Sequence, residues 1–255
     1  MVWSGLPAFT LDWSLPAGVR ALQTECGRGP LPYGEFNLGD HVGDDMARVH
    51  TNRQRLIHAM GITPVWLRQV HGAVVYDAGG YNTEKIPQDA PEADAALTQR
   101  RGIACAVLTA DCLPVLIADR QARVVGAAHA GWRGLAAGVI EQLIDAMLRV
   151  PGVTTRDLTV WLGPAIGPSA FEVGQEVADA FLAQSAVHAG CFKQHPVAPS
   201  KLFADLPGLA LNVLQAKGID DVTLSGLCTV SLEDRFYSYR RTGVTGRMAS
   251  LIWME

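Results

Sequence analysis

The sequence predicts a single-domain α/β protein in which buried strands and amphipathic helices share one core. Two stretches carry most of this prediction. Residues 103 to 130 hold several short apolar runs rich in Val, Ile and Ala, which favour buried strands. Residues 135 to 148 repeat apolar side chains at helical spacing. Because α/β domains of 255 residues often remain undivided, we expect one domain over residues 1 to 255.

The other elements follow from periodicity and from glycine and proline punctuation. Dense glycine and proline between 27 and 44 predict a long loop that walls a site. A helix is expected over 45 to 60, with Asp44 or Asp45 as its N-cap and Gly61 as its terminator. Further helices are expected over 173 to 183 and 205 to 217, and strands over 64 to 72, 158 to 164, 221 to 230 and 248 to 254.

Charge, hydropathy and cysteine usage exclude several classes of protein. The net charge is −4 and the 21 Lys and Arg residues are spread along the chain, which argues against a nucleic-acid partner. Apolar runs stop short of the roughly 20 residues that a membrane span needs, and residues 1 to 15 lack a signal-peptide pattern. Five scattered cysteines without a CxxC pair fit a reducing compartment. We therefore expect a cytoplasmic protein that acts on a small molecule.

Three short strings combine metal-binding side chains with turn residues. They are QVHG at 69 to 72, TADCLP at 109 to 114 and HAGWRG at 129 to 134. We expect His71, Cys112 and His129 to lie at the ends of strands, where side chains from separate strands can converge. A lone His or buried Cys is usually structural, and their spacing matches no short chelating motif, but three at matching positions favour a metal site. Three ligands leave a fourth tetrahedral position open, as in catalytic zinc sites.

Residues beside these strings indicate the chemistry of such a site. Bound zinc activates water and polarises oxygen atoms, so hydrolysis or group transfer needs no organic cofactor. Asp111 is either a general base or a residue that orients a neighbouring ligand. Arg133 has a donor fork that suits phosphate, although the start of a helix explains the same HAGWRG string equally well. The chain lacks GxGxxG, P-loop and GxSxG motifs.

Longer strings around these residues resemble a known family. They are QVHG, TADCLPVLIAD, AAHAGWRGLAAGV, WLGPAIGPSAFEVGQEV and FYSYRRTGVTGRMASLIW, and they resemble the laccase-domain proteins, once called polyphenol oxidases and now regarded as purine nucleoside phosphorylases. The resemblance implies that His71, Cys112 and His129 bind Zn²⁺. It implies cleavage of adenosine, inosine and guanosine by phosphate, with adenosine deamination and methylthioadenosine cleavage as further activities. The implied fold is a β-sandwich-like core of mixed sheets flanked by helices, similar to that of cysteine hydrolases such as the deamidating toxins.

The resemblance also suggests a nucleoside pocket under the 27 to 44 loop. The candidate residues besides the metal ligands are Asp111, His41 and Arg133 for catalysis, and Asn37, Arg53 and Gln69 for substrate binding. One position departs from the family: where relatives carry Thr-Arg-x-Gly-Gly, this chain reads Thr24, Glu25, Cys26, Gly27 and Arg28. Because an arginine there would suit phosphate, the charge reversal at Glu25 puts the substrate preference in question.

Three other functions stay open. A cysteine hydrolase would use Cys112 as nucleophile and His129 as base, and it would work in the presence of chelator. A copper-dependent polyphenol oxidase would bind Cu²⁺, but seven histidines without an HxH pair argue against clustered copper sites. A binding role, or editing of peptidoglycan precursors, would leave the open metal position without a task.

Overall fold

Two β-sheets packed face to face form the centre of the protein, in a computed structural model that describes residues 5 to 82 and 90 to 255. The strands are β1 (Ala8–Phe9), β2 (Val19–Thr24), β3 (Thr63–Val65), β4 (Val75–Asp77), β5 (Ala95–Thr98), β6 (Ile103–Thr109), β7 (Leu113–Asp119), β8 (Val125–Ala130), β9 (Leu158–Leu162), β10 (Glu172–Gly174), β11 (Phe192–Gln194), β12 (Lys201–Ala204), β13 (Val222–Leu224) and β14 (Met248–Met254). The helices are α1 (Met46–Met60), α2 (Trp132–Ala136), α3 (Val139–Met147), α4 (Gln175–Leu182), α5 (Leu206–Ala216) and α6 (Tyr239–Thr242).

Both central sheets are mixed. The first has the order β1-β2-β14-β6-β3, and the second has the order β13-β9-β7-β8-β5-β4. Pairs β3 with β6, β4 with β5 and β13 with β9 are parallel, whereas the other pairs in these two sheets are antiparallel. A small third sheet has the order β10-β12-β11. The chain passes from the first sheet to the second between β6 and β7, at residues 110 to 112.

Successive side chains of each strand point to opposite faces of the first sheet, and both faces are buried. Ile103 and Val107 of β6 point inward and pack with Leu116 of β7 between the two sheets. The outer face packs against α1 through Leu56. The outer face of the second sheet is covered by α3 and α5, with Leu143 among the buried contacts. These layers confirm the predicted mixed α/β class with helices outside; likeness to the cysteine hydrolases stays a prediction.

Helix α1 forms where its capping residues predict it. The Asp45 carboxylate accepts the backbone N–H of Ala47 at 2.8 Å, which satisfies one free donor of the first turn. Gly61 ends the helix in the left-handed region at φ 67°, and its N–H donates to the carbonyl of Ile57. The predicted helix over 45 to 60 is therefore confirmed to within one residue.

Several predicted boundaries are wrong because tertiary contacts change the local structure. The strand expected over 64 to 72 ends at Val65, and the Gln69 side chain instead pairs with both backbone groups of Leu108, at 2.8 and 2.7 Å. The helix expected over 135 to 148 starts at Trp132 and is divided by Gly138, whose φ is 87°. Residues 172 to 174 form a strand before α4, and the strand expected over 221 to 230 ends at Leu224.

The sequence predicts no membrane-spanning segment. Among the helices of the described residues, none has both the length and the apolar character needed to cross a membrane.

Candidate metal centre

Three separate parts of the fold bring the predicted ligands together. Cys112 lies in the crossover from the first sheet to the second, immediately before β7. His129 lies within β8, the neighbour of β7, and pairs in register with Pro114. His71 lies in the irregular segment between β3 and β4, so the expectation of a strand end is wrong for this residue. The ligand atoms of all three nevertheless lie within 4.8 Å of one another, and the cluster can hold a metal ion.

The cluster is open on one side. The His129 side chain is buried, Cys112 is half-buried and His71 is exposed. The Cys112 Sγ lies 3.8 Å from Nε2 of His71. The rings of His71 and His129 meet edge to face, with their centroids 4.7 Å apart. Two nitrogens and one sulfur therefore face a common point that solvent and small molecules can reach.

Asp94, which was not predicted as a site residue, organises two of the three ligands. Its Oδ1 lies 2.8 Å from Nδ1 of the buried His129 ring and also accepts the N–H of His71 at 2.9 Å. Its Oδ2 accepts the N–H groups of Val70 at 3.1 Å and Gly72 at 2.7 Å. Carboxylates that bind the second nitrogen of a metal-binding histidine fix the orientation of the ring. An aspartate directly before a buried strand is a weak sequence signal for that role.

Backbone geometry also marks the site. His71 and Asp111 adopt φ angles of 62° and 87°, a region that residues other than glycine rarely occupy, and such strain concentrates at functional sites. Gly131 lies against the cluster, since a Cβ atom there would lie 2.9 Å from both Cys112 Sγ and His71 Cδ2. The glycine of the HAGWRG string therefore keeps space for the ligands.

Electrostatics favours a thiolate at Cys112. Burial opposes ionisation, yet the pKa of the Cys112 thiol is lowered because His129 and His71 stabilise the anion by charge and hydrogen bonds. Burial also disfavours the charged form of His129, but its pKa is raised by the Cys112 thiolate and by the carboxylate of Asp94. A thiolate is the form of cysteine that binds metals and that attacks electrophiles.

The cluster lies in a cavity of about 280 Å³. Of the other predicted site residues, His41, Gln69 and Asp111 line this cavity. Arg240 and Arg247, which were not among the predicted site residues, line it too. The apolar part of the wall includes Leu108, Trp132, Ile166, Phe171 and Leu206. An arginine-rich segment between two strands was the available signal for the two cationic side chains.

Two of the cavity residues have their polar groups already occupied. The amide of Gln69 is paired with the backbone of Leu108. The Asp111 carboxylate accepts hydrogen bonds from Thr229 Oγ1 at 2.6 Å, from Ser238 Oγ at 3.1 Å and from the backbone N–H of Arg240 at 2.7 Å. Of the two roles considered for Asp111, this geometry suits orientation of its neighbours better than proton abstraction.

The remaining candidates lie outside the cavity lining. Asn37 is fully buried, and its Oδ1 accepts the backbone N–H groups of Gly39 at 2.9 Å and of Arg247 at 2.8 Å. It thereby ties the 27 to 44 loop to the segment that carries Arg247. The guanidinium of Arg53 lies 3.1 Å from Asp40 and over the Trp66 ring.

Arg133 and Glu25, the two charged side chains considered for their effect on phosphate binding, also lie outside the cavity lining. Arg133 is exposed and lies over the ring of Trp132, with 4.5 Å from Cζ to the ring centroid. Glu25 forms an ion pair with Arg235 in a different surface depression. The charge reversal at Glu25 therefore does not change the wall of the cavity that holds the His-Cys-His cluster.

The architecture and the cluster define a mixed α/β protein with a candidate mononuclear metal site in an open cavity. The chain belongs to the family described as multi-copper polyphenol oxidoreductase laccase, whose family model matches residues 21–255. A protein named purine nucleoside phosphorylase from Pseudomonas aeruginosa is 47% identical over 249 residues, covering 96% of this chain and 98% of the relative. The purine nucleoside phosphorylase YfiH of Escherichia coli is 44% identical over 247 residues, covering 95% and 97% of the two chains.

Solved structures share the whole fold. A Neisseria meningitidis protein superposes with a TM-score of 0.88 at 43% identity, covering 98% of this chain and 99% of the other. YlmD from Geobacillus stearothermophilus superposes with a TM-score of 0.84 at 29% identity, covering 99% and 97%. The family description mentions several copper ions, whereas the described residues contain one group of three His, Cys, Asp or Glu side chains with metal-binding geometry.

Proposed function

We propose that this protein is a zinc-dependent purine nucleoside phosphorylase that cleaves adenosine, inosine and guanosine to the base and ribose 1-phosphate. The observation that carries the proposal is that the His-Cys-His cluster and two arginines, Arg240 and Arg247, line the same cavity. Relatives that match over nearly their whole length are named purine nucleoside phosphorylases, which supports this reaction class.

The donor set and its surroundings fit one zinc ion. Two imidazoles and a thiolate are common zinc ligands, and three protein ligands are typical of catalytic sites. Asp94 fixes the ring of His129, and Gly131 leaves the ligands room. Zinc bound there would supply Lewis-acid chemistry to an oxygen of water or substrate. Cu²⁺ also accepts imidazole and thiolate, so it is the alternative metal.

Arg240 and Arg247 are suited to bind phosphate. The Arg240 guanidinium donates to the carbonyl of Glu172 at 3.0 Å, and that of Arg247 donates to the carbonyls of Thr245 at 2.9 Å and Gly246 at 3.0 Å. These contacts hold the side chains in place without neutralising their charge. Burial lowers the pKa of Arg247, but arginine stays protonated at neutral pH. Two positioned cations that line the same cavity favour a phosphate ion by charge-assisted hydrogen bonds.

The rest of the cavity suits a nucleoside. Its apolar side chains, including Ile166 and Phe171, offer surface to a purine base. The exposed Tyr239 ring also lines the cavity and can contact a flat base. Since family resemblance supports the main reaction, we extend the proposal to methylthioadenosine cleavage and to adenosine deamination as side activities at this site.

The test is base release from inosine with and without phosphate, followed by chromatography. We expect hypoxanthine to form only when phosphate is present. Hypoxanthine formation at the same rate without phosphate would instead indicate a hydrolase and contradict the proposal.

A cysteine hydrolase is the second candidate, because Cys112, His129 and Asp94 also form a nucleophile, base and orienting carboxylate arrangement. His71 separates the two mechanisms, since the hydrolase gives it no role as ligand. In the zinc enzyme, His71→Ala and Cys112→Ser should both lower bound metal and abolish turnover. A His71→Ala protein that keeps its activity in chelator would support the hydrolase.

A further inference from the structure

Phosphorolysis of a purine nucleoside requires a proton for the departing base. The bond between ribose C1′ and purine N9 breaks with its electron pair left on the base, and protonation at N7 makes the base a better leaving group. The proposed function, on which this inference rests, therefore implies an acid within the cavity.

Most proton-bearing side chains of the cavity are committed elsewhere. His71, Cys112 and His129 form the metal-binding cluster, and the Asp111 carboxylate accepts three hydrogen bonds. Arginine does not release its proton at neutral pH, which leaves out Arg240 and Arg247. Among the described residues that line the cavity, His41 and Tyr239 remain. Histidine is the side chain that most often serves as a general acid in enzymes, and His41 has a carboxylate neighbour, Asp40, that can orient its ring.

A chain of contacts through Asp40 and Arg53 holds His41 in place. Its Nδ1 lies 3.3 Å from Oδ1 of Asp40, whose Oδ2 lies 3.1 Å from Nη1 of Arg53. The Arg53 side chain is only 16% exposed, donates to the carbonyl of Leu38 at 3.0 Å and stacks over the Trp66 ring at 4.5 Å. The ring of His41, which is 58% exposed, is thus held from the protein side and keeps Nε2 available to a ligand.

Asp40 offers the His41 ring an ionised hydrogen-bond partner. Its pKa is lowered to about 2, first by the hydrogen bond with His41 and then, against the effect of burial, by the charge of Arg53. The carboxylate is therefore ionised throughout the neutral range, and it can accept a hydrogen bond from Nδ1 of His41, which orients the ring.

We propose that His41 is the catalytic acid of this enzyme, donating the proton on Nε2 to purine N7 as the glycosidic bond breaks. A phosphate oxygen forms the new bond to C1′, and the base leaves as the neutral purine. The imidazole is left neutral and regains a proton from the newly formed phosphate monoester, directly or through solvent. Asp40 and Arg53 are positioning residues in this scheme, which replaces the substrate-binding role predicted for Arg53.

A nucleoside methylated on N7 tests this assignment directly. The base of 7-methylinosine carries a positive charge and departs as a neutral molecule without receiving a proton. We expect His41→Gln to lower kcat on inosine by about 100-fold or more, within the usual contribution of general acids, and to leave kcat on 7-methylinosine nearly unchanged. Asp40→Asn should produce a smaller loss with the same selectivity. A merely structural defect would affect both nucleosides.

The controls keep the outcome interpretable. Metal content and melting temperature should match the wild type in both variants, and His50→Gln, on the exposed face of α1, should leave both rates unchanged. Equal losses on both nucleosides, or full inosine activity in His41→Gln, would overturn the role of His41. A wild-type protein that consumes neither nucleoside with phosphate would overturn the proposed function together with this inference.

Discussion

The carboxylate of Asp94 is shared between two of the three candidate metal ligands. It binds the Nδ1 side of the His129 ring at 2.8 Å and the backbone N–H of His71 at 2.9 Å. Burial disfavours its ionisation, but the pKa of Asp94 is lowered by the hydrogen bond with His129 and by those from the backbone. One buried anion thus fixes a ligand ring and the turn that carries a second ligand.

Replacing Asp94 should therefore weaken metal binding without removing a ligand. We expect Asp94→Asn to lower zinc affinity by about 10- to 100-fold, as is usual for carboxylates behind metal-binding histidines. Competition with a chromogenic chelator measures this. Asp145→Asn, at a half-exposed carboxylate paired with Lys217, should leave zinc affinity unchanged. Wild-type affinity in Asp94→Asn would show that the carboxylate does not position the ligands.

Gly131 gives a steric test of the same cluster. A Cβ atom at this position would lie 2.9 Å from Cys112 Sγ and from His71 Cδ2, closer than real contacts of that kind. We expect Gly131→Ala to reduce the zinc content of the purified protein and its activity. Gly190→Ala is the matched control, because a Cβ there has no neighbour within 4 Å. Equal zinc content in Gly131→Ala and the wild type would contradict the close packing.

The phosphate assignment predicts a selective kinetic effect. Hydrogen bonds to charged groups contribute roughly 1.5 to 3 kcal/mol, so Arg240→Ala or Arg247→Ala should raise KM for phosphate by about 10- to 100-fold. The KM for inosine should change less. Arg133→Ala serves as control, since this side chain is exposed and stacked on Trp132 outside the cavity lining. A larger increase in the KM for phosphate in Arg133→Ala than in Arg240→Ala or Arg247→Ala would indicate that Arg133 belongs to the phosphate site.

Asp119 predicts a pH dependence of stability. Burial raises its pKa, but three hydrogen bonds from Arg123, at 2.6 to 3.0 Å, lower it below the usual range. In the unfolded chain the same carboxyl titrates at about pH 3.9. The stabilisation is therefore complete above that pH, and it is lost as the pH falls through the lower pKa of the folded state.

We expect Asp119→Asn to lower the melting temperature at pH 7 by several degrees and to have a shrinking effect below about pH 4. Thermal unfolding followed by circular dichroism at several pH values measures this. Asp221→Asn, which breaks a solvent-exposed pair with Arg120, should change stability little at any pH. A deficit of Asp119→Asn that persists undiminished at the lowest pH would contradict the ion-pair explanation.

Local chemistry predicted the parts of the structure that local contacts determine. Helix α1 is specified by Asp45 and Gly61 at its ends. The ligands of the cluster are reactive side chains that lie in recognisable sequence strings. Asp94 and Arg240 were not predicted, because their roles arise only when distant segments meet in the fold. The strand prediction over 64 to 72 failed for the same reason.

The proposed phosphorolysis depends on one metal ion at the cluster of His71, Cys112 and His129. Its most direct test is to strip the protein with chelator, add zinc back in steps, and measure phosphate-dependent hypoxanthine release together with bound metal. We expect an inactive metal-free protein whose activity rises in proportion to bound zinc and reaches its plateau at one ion per chain. A metal-free protein that releases hypoxanthine at the full rate would contradict the account.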